Sequence, residues 1–436
     1  MSNLQQQSEN LPFFSVIIPQ KDRAEYIGWT LRTCMIQDYP NFEVIVSDDC
    51  SEDNSVDVIS EMAKLDPRIK LFAHEKHLGM RDNFEFALSQ VKPGYVMALG
   101  GDDGLVPGCI WKMYNIINET GRQLLTWSTA GFNYPYGESG SGLLYVKRRK
   151  NDDVRFIKSE DFLNKIAKTF HYQIDECPMF YMKGVASTDL VDRVKSRTPD
   201  GCFYYCPTPD GFSGVVLAGE VEDFAYTDLP LSITGDTSKS QGKNYMRADK
   251  KSRFEAQQFF NDNIRRTMHS ELASQPYSPL TTLMTADYLL TARDLPGWPG
   301  KFEPISFENL LQKSFECMAG NPFADEVLTR ELKILREIAK QHDLEVLFET
   351  LYKNTKRKVS KAKPVNYTFL ITNSYRFNAK YIGVNNIFDA CLAVNFIHNF
   401  QKQLNLKFFV SLFKNTAKLA LGSKKFEYKE FPRIDD

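Results

Sequence analysis

The N-terminal part of the chain alternates short apolar runs with stretches of helical periodicity. The runs are continuous rather than alternating, which is typical of strands buried on both faces of a sheet. Strands that alternate with helices form βαβ units, so we expect an α/β fold with a mainly parallel sheet flanked by helices. The predicted strands are 13–19, 42–47, 69–73 and 95–99, and the predicted helices are 24–37, 51–65 and 82–91.

Polar and acidic residues follow three of these strands. Residues 19–22 close the first strand, residues 48–49 the second, and the segment 100–104 (GGDDG) the fourth. Ligands of such sheets bind outside the carboxyl ends of the strands, so we expect one shared crevice. The adjacent carboxylates of Asp102 and Asp103 are suited to Mg²⁺ or Mn²⁺, which take one or two carboxylates together with phosphate oxygens and water. A solvated Asp-Asp turn is the alternative interpretation of this segment.

Length and composition indicate a globular protein of about two or three domains. The 436-residue chain has a formal net charge of -1, which argues against a nucleic-acid partner. Its eight cysteines show no zinc-type spacing and are expected to be free thiols in a reducing compartment. Residues 1–10 lack the apolar core of a signal peptide, and no stretch reaches the length of a transmembrane helix. A cytoplasmic location is expected, with peripheral contact at the inner face of the membrane as an option.

The character of the chain changes near residue 245, where glycine becomes sparser and helical periodicity takes over. We therefore predict a flexible N-terminus over 1–11, an α/β domain over 12–245 and a helical C-terminal region over 246–436. The predicted helices of that region are 251–274, 279–293, 306–319, 324–340 and 342–356.

Residues 387–421 are apolar and aromatic with interspersed lysines. A basic amphipathic helix of this kind can lie on an anionic membrane surface. The alternative is a helix packed on the rest of the protein or on a partner. Membrane docking, homo-oligomerisation and positioning of an acceptor all stay open as roles of the C-terminal region.

Four blocks of the sequence resemble the start of family 2 glycosyltransferases in their order and spacing. The resemblance covers roughly residues 12–125, with a fainter trace to about 242. Gln20-Lys21-Asp22 stands where the family usually has a tyrosine or asparagine pair, and Gly100 stands where its metal motif often has an earlier aspartate. The four blocks are 15–27 (SVIIPQKDRAEYI), 42–53 (FEVIVSDDCSED), 77–83 (HLGMRDN) and 94–103 (GYVMALGGDD).

The resemblance implies a GT-A fold, a nucleotide-sugar donor and a divalent cation, Mn²⁺ or Mg²⁺. It implies inverting transfer of a hexosyl or N-acetylhexosaminyl group, with a UDP-sugar as the expected donor. The acceptor would be a hydroxyl of a glycan or a lipid-linked molecule, in surface polysaccharide synthesis. A non-catalytic glycan-binding or scaffold protein that retains the fold is the alternative function.

The same resemblance assigns site residues by position. Asp48 or Asp49 would accept a hydrogen bond from the base or ribose, although this segment also fits a helix-capping turn. Arg81 would reach the base or the diphosphate, or be a surface residue in the first turn of a helix. The nucleotide-binding residues implied are Pro19, Gln20, Lys21, Asp48, Asp49, Arg81 and Asp102, and the metal ligands implied are Asp103 and Asp102.

A general base is needed to deprotonate the acceptor hydroxyl in an inverting transfer. In the family this base is an aspartate at a helix start, about a hundred residues past the metal motif. Asp210, in Pro209-Asp210-Gly211, is the best match, and a plain helix-capping carboxylate is the alternative role for it. Glu222-Asp223 is the second candidate for the base.

Overall fold

The computed structural model describes residues 11–135, 142–147, 153–239, 254, 266–321, 323–360, 374–400 and 426–432. Residues 1–10 of the predicted flexible N-terminus lie outside these ranges. The strands are β1 Phe14–Gln20, β2 Phe42–Asp48, β3 Ile69–Ala73, β4 Tyr95–Ala98, β5 Gly104–Leu105, β6 Leu124–Trp127, β7 Ala130–Asn133, β8 Leu143–Lys147, β9 Val154–Lys158, β10 Gly184–Ser187, β11 Asp223–Thr227, β12 Ser232–Asp236, β13 Arg357–Ser360, β14 Ser374–Asn378 and β15 Phe426–Lys429. The α-helices are α1 Ala24–Met35, α2 Ser55–Leu65, α3 Met80–Ser89, α4 Cys109–Thr120, α5 Ser159–Thr169, α6 Thr188–Lys195, α7 Pro209–Gly219, α8 Thr281–Arg293, α9 Phe307–Gly320, α10 Asp325–Gln341, α11 Glu345–Asn354 and α12 Ile387–Phe400.

The central sheet has the strand order β3-β2-β1-β4-β10-β6-β11-β9. β1 pairs in parallel with β2 and β4, and β2 with β3, so the carboxyl ends of the predicted strands meet at one edge. Every residue of β1 and β2 is buried, as their continuous apolar runs predict. The α/β class with a GT-A-like arrangement is confirmed. The sheet as a whole is mixed, because β10 runs antiparallel to β4 and β6, and β9 runs antiparallel to β11.

The helix predicted from residue 51 begins at Ser55 instead. Two side chains before it bond the loop after β1, and Asp53 Oδ1 also accepts from the backbone N–H of Ser55 at 3.0 Å. Ser51 Oγ accepts from the backbone N–H of Asp22 at 2.8 Å, and Asp53 Oδ2 accepts from that of Ala24 at 3.1 Å. The segment 51–54 therefore joins the β1–α1 and β2–α2 loops at the edge of the sheet.

A second sheet has the strand order β14-β8-β7-β12-β5. β14 and α12 come from the C-terminal region, so the prediction that this region is helical was incomplete. α12 packs against α1 and β12, burying Ile387, Ala390, Cys391 and Val394. Over 387–400 this packing agrees with the alternative of a helix seated on the protein. Residues 401–425 of the predicted amphipathic segment lie outside the described residues.

Helices α8–α11 confirm four of the helices predicted after residue 245. The fifth, 251–274, falls largely outside the described residues, and its end at Ser270–Leu272 is a single 3-10 turn. α8 is buried around its whole circumference and packs on α5 and α7, so the α/β part and the C-terminal helices share a hydrophobic core. All eight cysteines are free thiols, as expected. Within the described ranges no helix is long and apolar enough to span a bilayer.

Candidate functional site

Asp102 and Asp103 lie in the turn after β4 and are buried, with 7% and 1% of their surface exposed. Asp103 Oδ2 accepts from the backbone N–H of Gly100 at 2.9 Å, and its Oδ1 accepts from that of Gly235 at 2.8 Å. Asp102 Oδ2 accepts from Thr237 Oγ1 at 2.9 Å. Two anionic side chains are therefore fixed side by side at the sheet edge, rather than solvated as a plain turn would leave them.

The surroundings of Asp102 and Asp103 compensate only part of the negative charge that the two ionised carboxylates would carry. Burial raises the pKa of Asp103 to about 7, and the nearby Asp102 carboxylate adds to that rise. Burial also raises the pKa of Asp102, although the Arg23 guanidinium, with Nε 4.0 Å from Asp102 Oδ2, opposes the rise. A divalent cation would relieve this repulsion.

The donor set at this position fits Mg²⁺ or Mn²⁺. In the described part of the chain no group of three or more His, Cys, Asp or Glu side chains could hold a metal ion. A cation between Asp102 and Asp103 would therefore take its other ligands from diphosphate oxygens and water, as these cations commonly do. Asp102 and Asp103 would be the protein ligands of such a site.

The hydroxyl of Tyr181 explains why residue 100 is glycine where the family often has aspartate. A Cβ at Gly100 would lie 2.6 Å from Tyr181 Oη and 2.7 Å from Asp103 Oδ2. The hydrogen bond from Tyr181 also lowers the pKa of Asp103, against the larger effect of burial. A phenol from a distant segment thus occupies the space that a longer side chain would need.

The predicted nucleotide residues on β1 and β2 hold the loops of the sheet edge together. Asp48 Oδ2 accepts from Gln20 Nε2 and from Ser51 Oγ, the latter at 2.7 Å, and its Oδ1 accepts from the Ser51 backbone at 2.9 Å. Lys21 Nζ donates to the carbonyls of Asp49 and Cys50 at 3.2 Å. The hydrogen bond from the Ser51 backbone N–H to Asp48 is typical of a helix-capping turn, which is the alternative interpretation of this segment.

Asp49 anchors the loop that leads into α3. Its carboxylate accepts from the backbone N–H groups of Leu78 at 2.6 Å and Gly79 at 3.1 Å, and lies 2.9 Å from His77 Nδ1. Pro19 is in register with Ser47 on β2, directly before this polar edge. The structure thus brings Pro19, Gln20, Lys21, Asp48 and Asp49 together, while their contacts with a nucleotide stay predictions.

Arg81, in the first turn of α3, engages a different segment from the other predicted residues. Its Nε donates to the carbonyl of Tyr204 at 2.7 Å, and its guanidinium pairs with Asp200. The side chain is 11% exposed, so it is a packed residue rather than a solvated one. Its predicted contact with the base or the diphosphate stays a prediction.

Two cations at the loop after β1 were missed by the sequence analysis. Arg23 donates to the carbonyls of Lys21 at 3.2 Å and Lys239 at 3.3 Å, and approaches Asp102. Lys239 Nζ donates to the carbonyl of Asp22 and lies 3.8 Å from Asp53 Oδ2. The position of Arg23 just after β1 was a usable signal, whereas Lys239 and Thr237 reach the site only through the tertiary fold.

Asp210 lies in the first turn of α7 and lines a cleft of about 270 Å³. Its Oδ2 accepts from Tyr172 Oη at 2.9 Å, and its Oδ1 is buried without a hydrogen-bond donor among the described residues. Burial raises its pKa. Thr234 lines the same cleft, and the next residue, Gly235, bonds Asp103. The cleft therefore extends from Asp210 to β12, the strand whose backbone bonds Asp103.

Glu222 and Asp223, the second candidates for the base, lie elsewhere. Asp223 starts β11 and pairs with Arg122, with Arg122 Nη2 3.1 Å from Asp223 Oδ2. Neither residue lines the cleft that contains Asp210. The geometry favours Asp210 over this pair.

Residues 15–182 match the family model described as glycosyl transferase family 2. This part of the chain is similar to family 2. The Bacillus subtilis protein named "Putative teichuronic acid biosynthesis glycosyltransferase TuaG" is 34% identical over 92 residues, which are 21% of this chain and 36% of that relative. The Campylobacter jejuni protein named "GalNAc(5)-diNAcBac-PP-undecaprenol beta-1,3-glucosyltransferase" is 32% identical over 110 residues, or 25% of this chain and 36% of that relative.

The chain spans little more than a third of each of these relatives' own length. Among solved structures, Staphylococcus aureus TarS 1-349 in complex with UDP-GlcNAc is similar at 14% identity and a TM-score of 0.43, covering 80% of this chain and 94% of that one. The matched residues, 15–182, include Asp102, Asp103 and the ends of β1 and β2, but they end before Asp210.

Proposed function

We propose that this protein is an inverting glycosyltransferase that uses a nucleoside-diphosphate sugar, with UDP as the nucleotide. The observation that carries the proposal is the cleft lined by the half-buried Asp210 and by Thr234 of β12, whose next residue, Gly235, donates its backbone N–H to Asp103. A general base and a cation-binding site that neutralises the leaving diphosphate are the two groups that an inverting transfer needs. The similarity of residues 15–182 to family 2 supports the same chemistry.

Asp210 acts as the general base in this proposal. Its free oxygen, Oδ1, takes the proton of the acceptor hydroxyl as the hydroxyl oxygen attacks the anomeric carbon. The bond between that carbon and the diphosphate breaks, and its electron pair leaves with the nucleotide. The raised pKa of Asp210 makes it a stronger base than an exposed carboxylate.

Asp102 and Asp103 would hold Mg²⁺ or Mn²⁺, which supplies positive charge to the leaving diphosphate when bound. The residues at the ends of β1 and β2 would bind the nucleotide, and Arg81 would bind its base or diphosphate. Arg23, next to Asp102, and Lys239, next to the carbonyl of Asp22, would add charge-assisted bonds to phosphate oxygens.

The acceptor is proposed to be a hydroxyl of a glycan or a lipid-linked molecule in surface polysaccharide synthesis. The names of the relatives, with teichuronic acid in one and an undecaprenol-linked glycan in the other, support this class. We further propose a cytoplasmic protein, peripheral at the inner face of the membrane. Leu392 and Phe396 on the outer side of α12 are 44% and 61% exposed, which suits such a contact or a homo-oligomer.

A thermal-shift panel of nucleoside diphosphates and their sugars, with and without Mn²⁺, tests the donor site. A ligand that binds only the folded protein raises the melting temperature by mass action. We expect a Mn²⁺-dependent rise with UDP in the wild type and its loss in Asp103→Ala. A lack of response to every nucleotide would argue against the enzyme. Binding without transfer or donor hydrolysis would favour the scaffold alternative.

A further inference from the structure

The candidate base is enclosed by aromatic side chains, and helix α8 of the C-terminal region holds them in place. Tyr172, 1% exposed in the loop after α5, donates its hydroxyl to Asp210 Oδ2 at 2.9 Å. The backbone N–H of Tyr172 donates to Thr285 Oγ1 at 3.3 Å, and the Tyr288 ring packs edge-on against the Tyr172 ring with centroids 5.5 Å apart. Because Thr285 and Tyr288 are both on α8, this helix fixes the tyrosine that contacts the base.

Helix α7, which carries Asp210, meets α8 at a glycine. A Cβ on Gly211 would lie 2.2 Å from the Tyr288 ring and 2.9 Å from the Tyr172 ring, so the three residues are in direct contact. Thr208, the N-cap residue of α7, hydrogen bonds with the hydroxyl of Tyr288 and, at 3.2 Å, with that of Tyr277. The chain on both sides of Asp210 is therefore seated on the same cluster of tyrosines.

The two oxygens of Asp210 have different surroundings. Oδ2 is occupied by the Tyr172 hydroxyl, whereas Oδ1 is buried and receives no hydrogen bond from the described residues. The Tyr172 hydroxyl, at hydrogen-bond distance of Oδ2, orients the group, while the Gly211 backbone N–H and the Thr208 hydroxyl lie close enough to lower its pKa as well. The other oxygen is then left as the one that can accept a proton.

We propose that Tyr172 is a positioning residue, clamped by α8, which holds Asp210 so that Oδ1 takes the acceptor proton. The C-terminal region is then a structural part of the active site and not an appended module. This inference rests on the proposed function, because it assigns a role to the base of that reaction.

The hydrogen bond from Tyr172 leads to a prediction about the pKa of Asp210. A donor to the ionised carboxylate stabilises the charged form, so its removal raises the pKa of Asp210. Burial keeps the phenols and the thiol near Asp210 neutral, raising the pKa of Cys177 to about 12 and those of the tyrosines above their ordinary range. The titratable groups around Asp210 are Tyr172, Cys177, Tyr181, Tyr277 and Tyr288, with Lys147, Asp175 and Lys183 lining the cleft.

The test is a titration of the Asp210 carboxyl carbon by NMR in the full-length protein labelled with [4-13C]aspartate. The Asp210 resonance is assigned by its absence in Asp210→Asn. We expect Tyr172→Phe, which keeps the ring, to raise the pKa of Asp210 by about one pH unit. The matched control is Tyr204→Phe, because the hydroxyl it removes bonds the Phe180 carbonyl at 3.4 Å and not Asp210 or Thr208. The Asp210 pKa in that variant should stay near the wild-type value.

A second variant keeps the test decisive if Tyr172→Phe does not fold. Replacement of Tyr172 by 3-fluorotyrosine makes the phenol a stronger donor, so the pKa of Asp210 should fall. An unchanged pKa in both Tyr172 variants, or an equal rise in Tyr204→Phe, would overturn the proposal. The titration needs no donor sugar. A shift as predicted, together with no transfer from any donor, would therefore count against the proposed function alone.

Discussion

At the scale of single residues, the guanidinium of Arg23 faces the buried carboxylate of Asp102. Its Nε lies 4.0 Å from Asp102 Oδ2, and the Arg23 side chain is 20% exposed. A pair at that distance is too long for a direct hydrogen bond, so the guanidinium keeps donors for a ligand. Its planar fork suits the oxygens of a phosphate. We therefore regard Arg23 as a diphosphate-binding residue of the proposed enzyme.

Arg23→Gln should weaken the binding of UDP in the presence of Mn²⁺ about tenfold, because a charge-assisted hydrogen bond is worth roughly 1.5–3 kcal/mol and about 1.4 kcal/mol is tenfold in affinity. Isothermal titration calorimetry measures the dissociation constant directly. Arg32→Gln is the control, since Arg32 is on α1, the helix that Arg23 immediately precedes, but lies over the Trp29 ring, 4.9 Å from its centroid. Equal affinities in Arg23→Gln and the wild type would refute this role.

The acidic residues of the candidate site could be predicted from the sequence, whereas the residues that hydrogen bond with them could not. Asp102, Asp103 and Asp210 stand out because carboxylates at a strand end or a helix start need a reason to be there. Asp102 and Asp103 are buried, and Asp210 is half-buried with its Oδ1 shielded from solvent. Thr237 and Tyr172 carry no local signal. They reach the carboxylates only because distant segments are brought together by the fold.

At the scale of elements, strand β12 acts as a support for the turn after β4. Its residue Gly235 donates its backbone N–H to Asp103, and a Cβ there would lie 1.8 Å from the carbonyl oxygen of Asp102. The alternation of strands and helices predicted β1 to β4 well. It could not predict the second sheet, because the pairing of β12 with β7 and β5 joins short segments without a regular pattern.

Gly235→Ala should disrupt this support. Backbone rather than a movable side chain occupies the space, so β12 must shift, at a cost of roughly 1–3 kcal/mol in the free energy of unfolding. Urea unfolding followed by circular dichroism measures that cost. Gly131→Ala on the neighbouring strand β7 is the matched control, because the nearest atom to its Cβ is 3.9 Å away. If the two variants were equally stable, the close approach at Gly235 would have no energetic weight.

At the scale of the whole molecule, the C-terminal region is built into the α/β part in two places. Helix α8 shares a core with α7, and Trp298 covers Gly219 closely enough that a Cβ would lie 2.0 Å from its ring. On the other side, β14 pairs with β8, and α12 buries its inner face in a cluster with Phe132, Leu144 and Ile233. The change of composition near residue 245 was visible in the sequence, whereas this shared packing depends on contacts between residues far apart in the chain.

Residues 12–245 alone should therefore not fold into a stable domain. Removal of α8 would expose α7, which is buried along nearly its whole length, and the tyrosine-lined surroundings of Asp210 would be lost. Exposed apolar area on that scale favours aggregation. Size-exclusion chromatography and near-UV circular dichroism of the 12–245 fragment test this, with a fragment lacking only 433–436 as the control. A monomeric 12–245 fragment with a cooperative thermal transition would show that the two parts fold independently.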